Sequence, residues 1–267
     1  LIVGALAGGV VALQASPEAS QLYMIWVILA AMVGGALYAG IVAWLKDKCN
    51  ANEILVSLML VYIAELFLSW AVQSPLRDPQ GLGFPQSPMF ETAATLPIMI
   101  PGTRMHWGWA LVCFALFGIW LIMSNMFIGF QVRVSGMAPK AAAYAGFSNR
   151  AIIYFVLLLS GALAGLAGVI ETCGPIGQLT PKISPGYGFA AIIVAFVGRL
   201  KPLGTIPAAF IMALFYLGGE LAQSRLGTPA ALTGVFQGLL LFSIMACDSL
   251  IFCKLKWVGF NSAKGAA

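Results

Sequence analysis

Long runs of apolar residues, separated by short charged or Gly/Pro-rich connections, dominate this chain of 267 residues. Hydrophobic residues make up 61% of it and charged residues only 9%, and its mean hydropathy is +0.95. A helix needs about 20 mostly apolar residues to cross the hydrocarbon core of a bilayer, which is about 30 Å thick. Spans are helical because every backbone polar group inside the bilayer must be satisfied within the protein. We therefore predict an all-α fold, a polytopic transmembrane helical bundle.

The boundaries of the apolar runs predict the spans. Residues 1–15 are too short to cross a bilayer alone, and we expect them to be the end of a span whose beginning, with the true N-terminus, is missing. Residues 186–200 are also short, and a Lys201-Pro202 break separates them from residues 203–221. Short, interrupted apolar segments often mark transport paths, so this region is predicted to be a short span, a re-entrant segment or a short helix packed inside the bundle. The predicted full spans are residues 22–45, 52–72, 107–130, 151–172 and 229–252.

Lys and Arg residues predict how the bundle is oriented, since loops rich in them remain in the cytoplasm. We expect residues 1–267 to form a single transmembrane domain with alternating spans, which places ten of its 14 Lys and Arg residues on one side. That side, predicted to be cytoplasmic and to include the C-terminus, carries Lys46, Lys48, Arg133, Lys140, Arg150, Arg199, Lys201, Lys254, Lys256 and Lys264. The external side carries Arg77, Arg104, Lys182 and Arg225, and includes the long connection 73–106.

Residues 135–147 form an Ala-rich, mildly basic segment between two predicted spans. Pro fits the first turn of a helix and Gly fits just past its end, and Pro139 and Gly146 occupy those places here. The segment therefore predicts a short helix on the cytoplasmic membrane surface, to which a soluble partner could bind. Its candidate contact residues are Gly136, Pro139, Lys140, Ala142, Tyr144 and Gly146.

Glycines at close spacing predict tight helix packing. Gly161 and Gly165 form a GxxxG pair, which allows two helix backbones to approach closely. Gly34, Gly35 and Gly40 are expected to do the same in the span at 22–45.

No motif predicts catalysis by the chain itself. It contains no HExxH, no GxSxG and no glycine loop ending in GK[ST], so ATP and Mg²⁺ would have to be bound by another subunit. We expect no cofactor and no metal in this chain. His106 is expected to be an interfacial residue, and the five scattered cysteines contain no CxxC pair and predict neither a zinc site nor a disulfide framework. The absence of a basic run or a basic–aromatic patch argues against nucleic-acid binding.

Polar and aromatic residues inside the spans are candidates for a solute path. Glu65 lies in mid-span, and Glu171 precedes a Cys173-Gly174-Pro175 sequence where the helix should break. Carboxylates in a membrane are costly and therefore functional candidates, although an internal helix–helix hydrogen bond is an equal alternative. Tyr187 and Phe189 open the short apolar segment, where they could stack on a base or sugar ring or belong to an interfacial aromatic belt.

Several segments, in order along the chain, resemble permeases of bacterial ABC importers in the branched-chain amino acid and simple-sugar superfamily, with the nucleoside and simple-sugar branch most alike. The resemblance rests on Asn52-Glu-Ile-Leu-Val-Ser-Leu-Met-Leu-Val-Tyr-Ile-Ala64, Asp78-Pro-Gln-Gly81, Pro85-Gln-Ser87, Gly136-Met-Ala-Pro-Lys-Ala-Ala-Ala-Tyr-Ala-Gly146, Leu159-Ser-Gly-Ala-Leu-Ala-Gly-Leu-Ala-Gly168 through Glu171, Gly186-Tyr-Gly-Phe-Ala-Ala-Ile-Ile-Val-Ala-Phe-Val-Gly-Arg199 and Pro202-Leu-Gly204. One position departs from it, since nucleoside-type members usually carry Asn where this chain has Val61.

The resemblance implies the function and the partners. The chain would be the permease subunit of an ATP-driven importer in the bacterial inner (plasma) membrane, moving a small neutral polar solute such as a nucleoside or a simple sugar. Residues 135–147 would be the coupling segment that docks on ABC ATPase subunits, and Asn52 joins the candidate solute path. Further implied partners are a second copy or a homologous permease, a periplasmic or lipoprotein solute-binding protein, and membrane lipid.

The residues alone leave two other classes of function open. A proton- or sodium-coupled secondary transporter could use Glu65 or Glu171, and would lose uptake when the ion gradient collapses. A membrane scaffold that transports nothing would show no dependence on any solute.

Overall fold

A computed structural model describes residues 1–16, 20–79, 81, 83–103, 105–184, 186–227, 229 and 231–252. In these ranges the chain is α-helical without a β-strand, and it forms two compact units, Leu1–Pro185 and Gly186–Ala267. Arg104 and the basic tail with Lys254, Lys256 and Lys264, on which part of the predicted orientation rests, lie outside the described residues.

Ten α-helices occur in the described part of the chain. The first unit contains α1 (Ile2–Leu13), α2 (Tyr23–Cys49), α3 (Glu53–Gln73), α4 (Gly108–Asn125), α5 (Phe127–Met137), α6 (Pro139–Tyr144) and α7 (Asn149–Glu171). The second contains α8 (Tyr187–Val197), α9 (Pro202–Leu226) and α10 (Ala231–Phe252). In the described ranges, α2, α3, α4, α7 and α9 are long and apolar enough to cross a membrane. The predicted all-α polytopic bundle is confirmed.

The predicted continuous span at residues 107–130 is wrong. The helix stops at Met126, whose backbone is extended (φ −95°, ψ 148°), and α5 begins at the next residue. Gly129 explains how α5 can start so close to the end of α4, because a Cβ atom at this position would overlap the backbone of Ile122 and Met123. The chain therefore makes an elbow at Met126 before the predicted coupling segment.

The core of the first unit is a three-helix contact among α1, α2 and α7. A Cβ atom on Gly161 of α7 would lie 2.5 Å from the carbonyl oxygen of Gly35 in α2. One on Gly165 would overlap the Ala31 carbonyl oxygen, and one on Gly4 of α1 would overlap the backbone of Gly165. The predicted close packing at the GxxxG pair is confirmed, and α1 takes part in it as well.

Two ion pairs join helix ends at one end of this unit, which we call the basic end and define by Lys46, Lys48, Lys140 and Arg150. Lys46 of α2 lies 2.8 Å from the carboxylate of Glu53 at the start of α3. Arg150, at the start of α7, lies 2.6 Å from the carboxylate of Asp47 in α2. The basic end therefore brings together the end of α2 and the beginnings of α3 and α7.

At the opposite end, the connection between α3 and α4 is attached to the segment that follows α7. Ser87 is fully buried; its N–H donates to the Leu179 carbonyl (3.0 Å), and its Oγ accepts from the Leu179 N–H (2.9 Å). The Phe90 N–H donates to the Gly177 carbonyl and the Leu96 N–H to the Cys173 carbonyl. A connection rich in Gly and Pro is thus ordered by backbone hydrogen bonds and by buried apolar side chains.

Replacing Ser87 by Ala should destabilise this attachment. The change leaves the buried N–H of Leu179 without its acceptor, which costs about 1–3 kcal/mol. We expect a lower thermal midpoint of the detergent-purified protein and faster proteolysis within the connection. Thr103→Ala is the matched control, because both hydrogen bonds of the Thr103 hydroxyl, to the Ile100 carbonyl and from the Met105 N–H, are exposed. Equal midpoints for the two variants would contradict the role of Ser87.

The second unit is built around a small apolar cluster. Ala190 and Ile193 of α8 are buried together with Met212 of α9. At the turn between these helices, a Cβ atom on Gly204 would overlap Gly198, so the turn is close-packed. The predicted short segment is α8, with 11 residues, whereas α9 extends over 25 residues. The short span, the re-entrant segment and the short helix packed inside the bundle all stay predictions for α8.

Candidate coupling segment and solute path

The helix predicted within residues 135–147 is present as α6. Pro139 occupies its first turn, where the missing N–H of proline has no intrahelical partner to lose. Past its end, Gly146 has the left-handed backbone (φ +80°) that glycine adopts without strain. The Gly146 N–H donates to the Ala143 carbonyl (3.1 Å) and the Phe147 N–H to the Ala142 carbonyl (3.0 Å). This pair of bonds is a Schellman motif, which satisfies the last carbonyls of the helix.

Burial divides the candidate contact residues of this segment into two groups. Ala142 is buried at 3% exposure, so it seats α6 against the rest of the first unit. Tyr144 is 94% exposed, and Met137, just before α6, is 87% exposed. Gly136, Pro139, Lys140 and Gly146 are also exposed. Sequence reasoning missed Met137, although a large apolar residue in a segment predicted to lie in water was a usable signal.

Three phenylalanines pack around the end of α6. The ring of Phe147 meets the ring of Phe127 edge to face, with 5.8 Å between centroids, and that of Phe130 with 6.3 Å. Phe127 and Phe130 both belong to α5. We call Phe127, Phe130 and Phe147 the aromatic junction; it connects the C-terminal cap of α6 to the helix that precedes it.

Asn52 and Glu65 both belong to the α3 region but lie far apart along it. The Asn52 side chain accepts a hydrogen bond from the Ile54 N–H (2.9 Å) and caps α3 at the basic end. A helix rises 1.5 Å per residue, so Glu65 lies about 20 Å further along the axis. The structure therefore gives Asn52 a local capping role and does not bring it next to Glu65.

Glu65 belongs to a row of polar side chains on α3. Glu65, Ser69 and Gln73 recur every four residues, a spacing that places neighbours on adjacent positions of one helix face. Within the row, the amide of Gln73 donates to the Ser69 hydroxyl (3.0 Å). Glu65 is exposed in this single chain, although it lies in the middle of a span. A carboxylate at this depth requires water, solute or another protein surface beside it.

Glu171 is the last residue of α7 and is partly buried. A turn of π-helix follows at residues 172–176, containing Pro175, and ends at Gly177. The helix therefore does not break at Cys173-Gly174-Pro175 as predicted; it changes from α to π geometry after Glu171 and ends at Gly177. In the adjacent connection, the Nδ1 atom of His106 accepts from the Gly108 N–H (3.2 Å), so His106 helps to begin α4.

Tyr187 and Phe189 open α8 in the second unit. The ring of Tyr187 packs edge to face on Tyr216 of α9, at 5.7 Å between centroids. Phe189 is 63% exposed. Tyr187 therefore has a packing role within its unit, and Phe189 presents a free aromatic face.

A surface depression of about 290 Å³ lies between the end of α1 and the connection 73–106. Two exposed side chains of opposite charge, Arg77 and Glu91, line it together with apolar residues. None of the predicted path residues contributes to it, so we do not assign it to the solute path.

Comparison with known proteins agrees with this architecture. The family model described as "Branched-chain amino acid transport system / permease component" matches residues 1–245. A glucose ABC transporter permease protein from Haloferax volcanii is 36% identical over 258 residues, covering 93% of this chain and 67% of the relative. A guanosine ABC transporter permease protein from Bacillus subtilis is 27% identical, covering 88% and 68%. A nucleoside ABC transporter permease protein from Lactococcus lactis is 25% identical, covering 85% and 65%.

The described residues form an all-helical, multi-pass membrane bundle with a short capped helix, α6, at the basic end. The chain belongs to the permease component family of branched-chain amino acid transport systems, as the match over most of its length shows. It spans about two thirds of the length of the relatives named above. No solved structure matches it.

Proposed function

We propose that the chain is the permease subunit of an ATP-driven importer for a small neutral polar solute, with a simple sugar as the first candidate and a nucleoside as the second. The observation that carries this proposal is α6, a capped surface helix with an exposed tyrosine, in a chain whose family consists of transport permeases. The glucose permease relative supports the sugar, because it has the higher identity over more of the chain, and the guanosine and nucleoside relatives support the alternative.

In this proposal the energy comes from partner subunits. ABC ATPase subunits bind ATP and Mg²⁺ and dock on residues 135–147, and the chain needs no cofactor of its own. For ATP to drive transport, it must bind one conformation of the assembly better than the other. A solute-binding protein delivers the solute at the end opposite the basic end, and a second copy or a homologous permease completes the path. The basic end faces the cytoplasm of a cell whose plasma membrane holds the complex, with the C-terminus on the same side.

The polar row on α3 supports a neutral solute. Its hydroxyl, amide and carboxylate groups accept and donate hydrogen bonds, and Glu65 is its only charged member. Hydroxyl groups of a sugar or ribose suit such a surface, since a few placed polar groups in an apolar path fix orientation and specificity. Glu171 is a further candidate path residue of the first unit, and Phe189 stays a predicted path residue of the second unit.

The test is ATP hydrolysis by the reconstituted complex. The chain, in its full-length form, is purified with its associated ATPase into lipid nanodiscs, and hydrolysis is measured with the binding protein and either glucose or guanosine. We expect stimulation by one of them, with uptake into proteoliposomes that is unaffected by a protonophore. Uptake that a protonophore abolishes while ATP is present would instead establish an ion-coupled carrier.

Glu65→Gln should separate solute recognition from assembly. Hydrogen bonds to a charged group contribute about 1.5–3 kcal/mol, so uptake should fall about tenfold or more, mainly through a weaker apparent affinity for the solute. Association with the ATPase should not change. Glu220→Gln is the matched control, because Glu220 is an exposed carboxylate of α9 that is not among the predicted path residues. Equal uptake by the two variants would remove Glu65 from the path.

A further inference from the structure

We propose that Phe147 is a positioning residue that transmits movement of α6 into α5 and the elbow at Met126. Its backbone and its ring belong to two different elements. Its N–H completes the Schellman motif of α6, and its ring contacts Phe127 and Phe130 of α5. A displacement of α6 by a docked ATPase therefore carries the ring of Phe147, and with it α5. This proposal rests on the proposed function.

The contacts of α7 with the core of the first unit oppose movement of α7. α7 begins directly after Phe147, with the Ser148 hydroxyl accepting from the Ala151 N–H. Arg150 is paired with Asp47 of α2, and Gly161 and Gly165 hold α7 against α2 at backbone contact. Close-packed interfaces have few alternative arrangements and deform little. α7 therefore stays in place when α6 moves.

α4 and α5 have few buried residues in the first unit, and Gly129 packs α5 at backbone contact on the end of α4, so the two helices move together. Met126 has an extended backbone, so the hydrogen-bond ladder between the two helices is interrupted there. Of the 18 residues of α4, only Gly108, at its far end, is buried in the first unit. Elements with few buried contacts move at low cost, and hinges lie at element ends that absorb a change in backbone angles. The aromatic junction thus connects α6 to α5 and α4, the helices that can move.

The experiment compares uptake per ATP hydrolysed in the reconstituted complex. Phe147→Ala should retain the ATPase and its basal hydrolysis, while the ratio of transported solute to hydrolysed ATP falls about tenfold, within the usual range for coupling between two sites. Phe147→Tyr, which keeps the ring, should restore the ratio. Phe67→Ala is the matched control, because Phe67 loses a comparable ring contact with Trp70 on α3.

A second variant guards against simple misfolding of α6. Replacing Phe127 and Phe130 together by Leu leaves Phe147 and the Schellman motif intact, and should lower the same ratio. An unchanged ratio in both variants, or a loss of uptake that only follows loss of bound ATPase, would overturn the role of Phe147. If the unaltered chain binds no ATPase at all, it is the proposed function that fails, and this outcome is distinct from the others.

Discussion

Gly165→Ala is expected to destabilise the protein by about 3 kcal/mol, a value at the upper end of the usual cost of overpacking. The added methyl group would overlap the carbonyl oxygen of Ala31 in α2. The atom in conflict is backbone, so no side-chain rotation relieves it, and α2 and α7 have to separate. Since α1 packs against the same surface through Gly4, the whole three-helix core is affected. The measurement is the thermal midpoint in detergent, with an expected decrease of about 10 °C.

The control for this prediction makes the same chemical change in open space. A Cβ atom on Gly118 of α4 would have no other atom within 4 Å apart from its own chain neighbours and its helix backbone. Alanine is favoured over glycine in a helix by about 1 kcal/mol, so Gly118→Ala should be neutral or slightly stabilising. If both variants had the same midpoint, close packing at Gly165 would not be what holds α7 to α2.

Tyr144→Ala is expected to weaken association with the ATPase about 30-fold or more while leaving the fold intact. The Tyr144 side chain is 94% exposed, so its removal costs the isolated chain little. Tyrosines that become buried at the centre of an interface often contribute 2 kcal/mol or more, which corresponds to roughly a 30-fold loss of affinity. The measurement is the dissociation constant of the ATPase from the chain in nanodiscs, with the thermal midpoint recorded beside it.

Phe84→Ala is the matched control for Tyr144. Phe84 is an aromatic residue of the connection 73–106, at the end opposite α6, and is 66% exposed. Its loss should leave ATPase affinity unchanged. Should Tyr144→Ala bind the ATPase as tightly as the unaltered chain, α6 would not be the docking element, whatever its shape.

The sequence predicted α6 because residues at its two ends fix where the helix begins and where it stops. Proline and glycine restrict or permit particular backbone angles whatever surrounds them, so Pro139 and Gly146 marked the helix correctly. The GxxxG pair was equally readable, since a lack of side chain is itself the property that close packing needs. The elbow at Met126 was missed, although Ser124 and Asn125 interrupt the apolar run of residues 107–130 directly before it. The contact of Gly129 with α4 shows where the helix stops.

The candidate solute path shows the same division. Glu65 and Glu171 could be chosen from the sequence, because a carboxylate within an apolar run is costly wherever it lies. The cap of α3 by Asn52 was also readable, since Asn is a preferred first residue at a helix start. The sequence could not show that Tyr187 packs on Tyr216, since this contact joins residues far apart in the chain.

The sequence by itself determined that this protein is a helical membrane bundle, where most of its spans lie, and which short segment lies between two of them at the surface. Those properties follow from composition, periodicity and backbone preferences, which act over a few residues. Only the tertiary structure decided that Ala142 is buried while Met137 and Tyr144 are exposed, and that Phe147 joins α6 to α5. Such properties arise from contacts between residues distant in the chain, and no local preference encodes them.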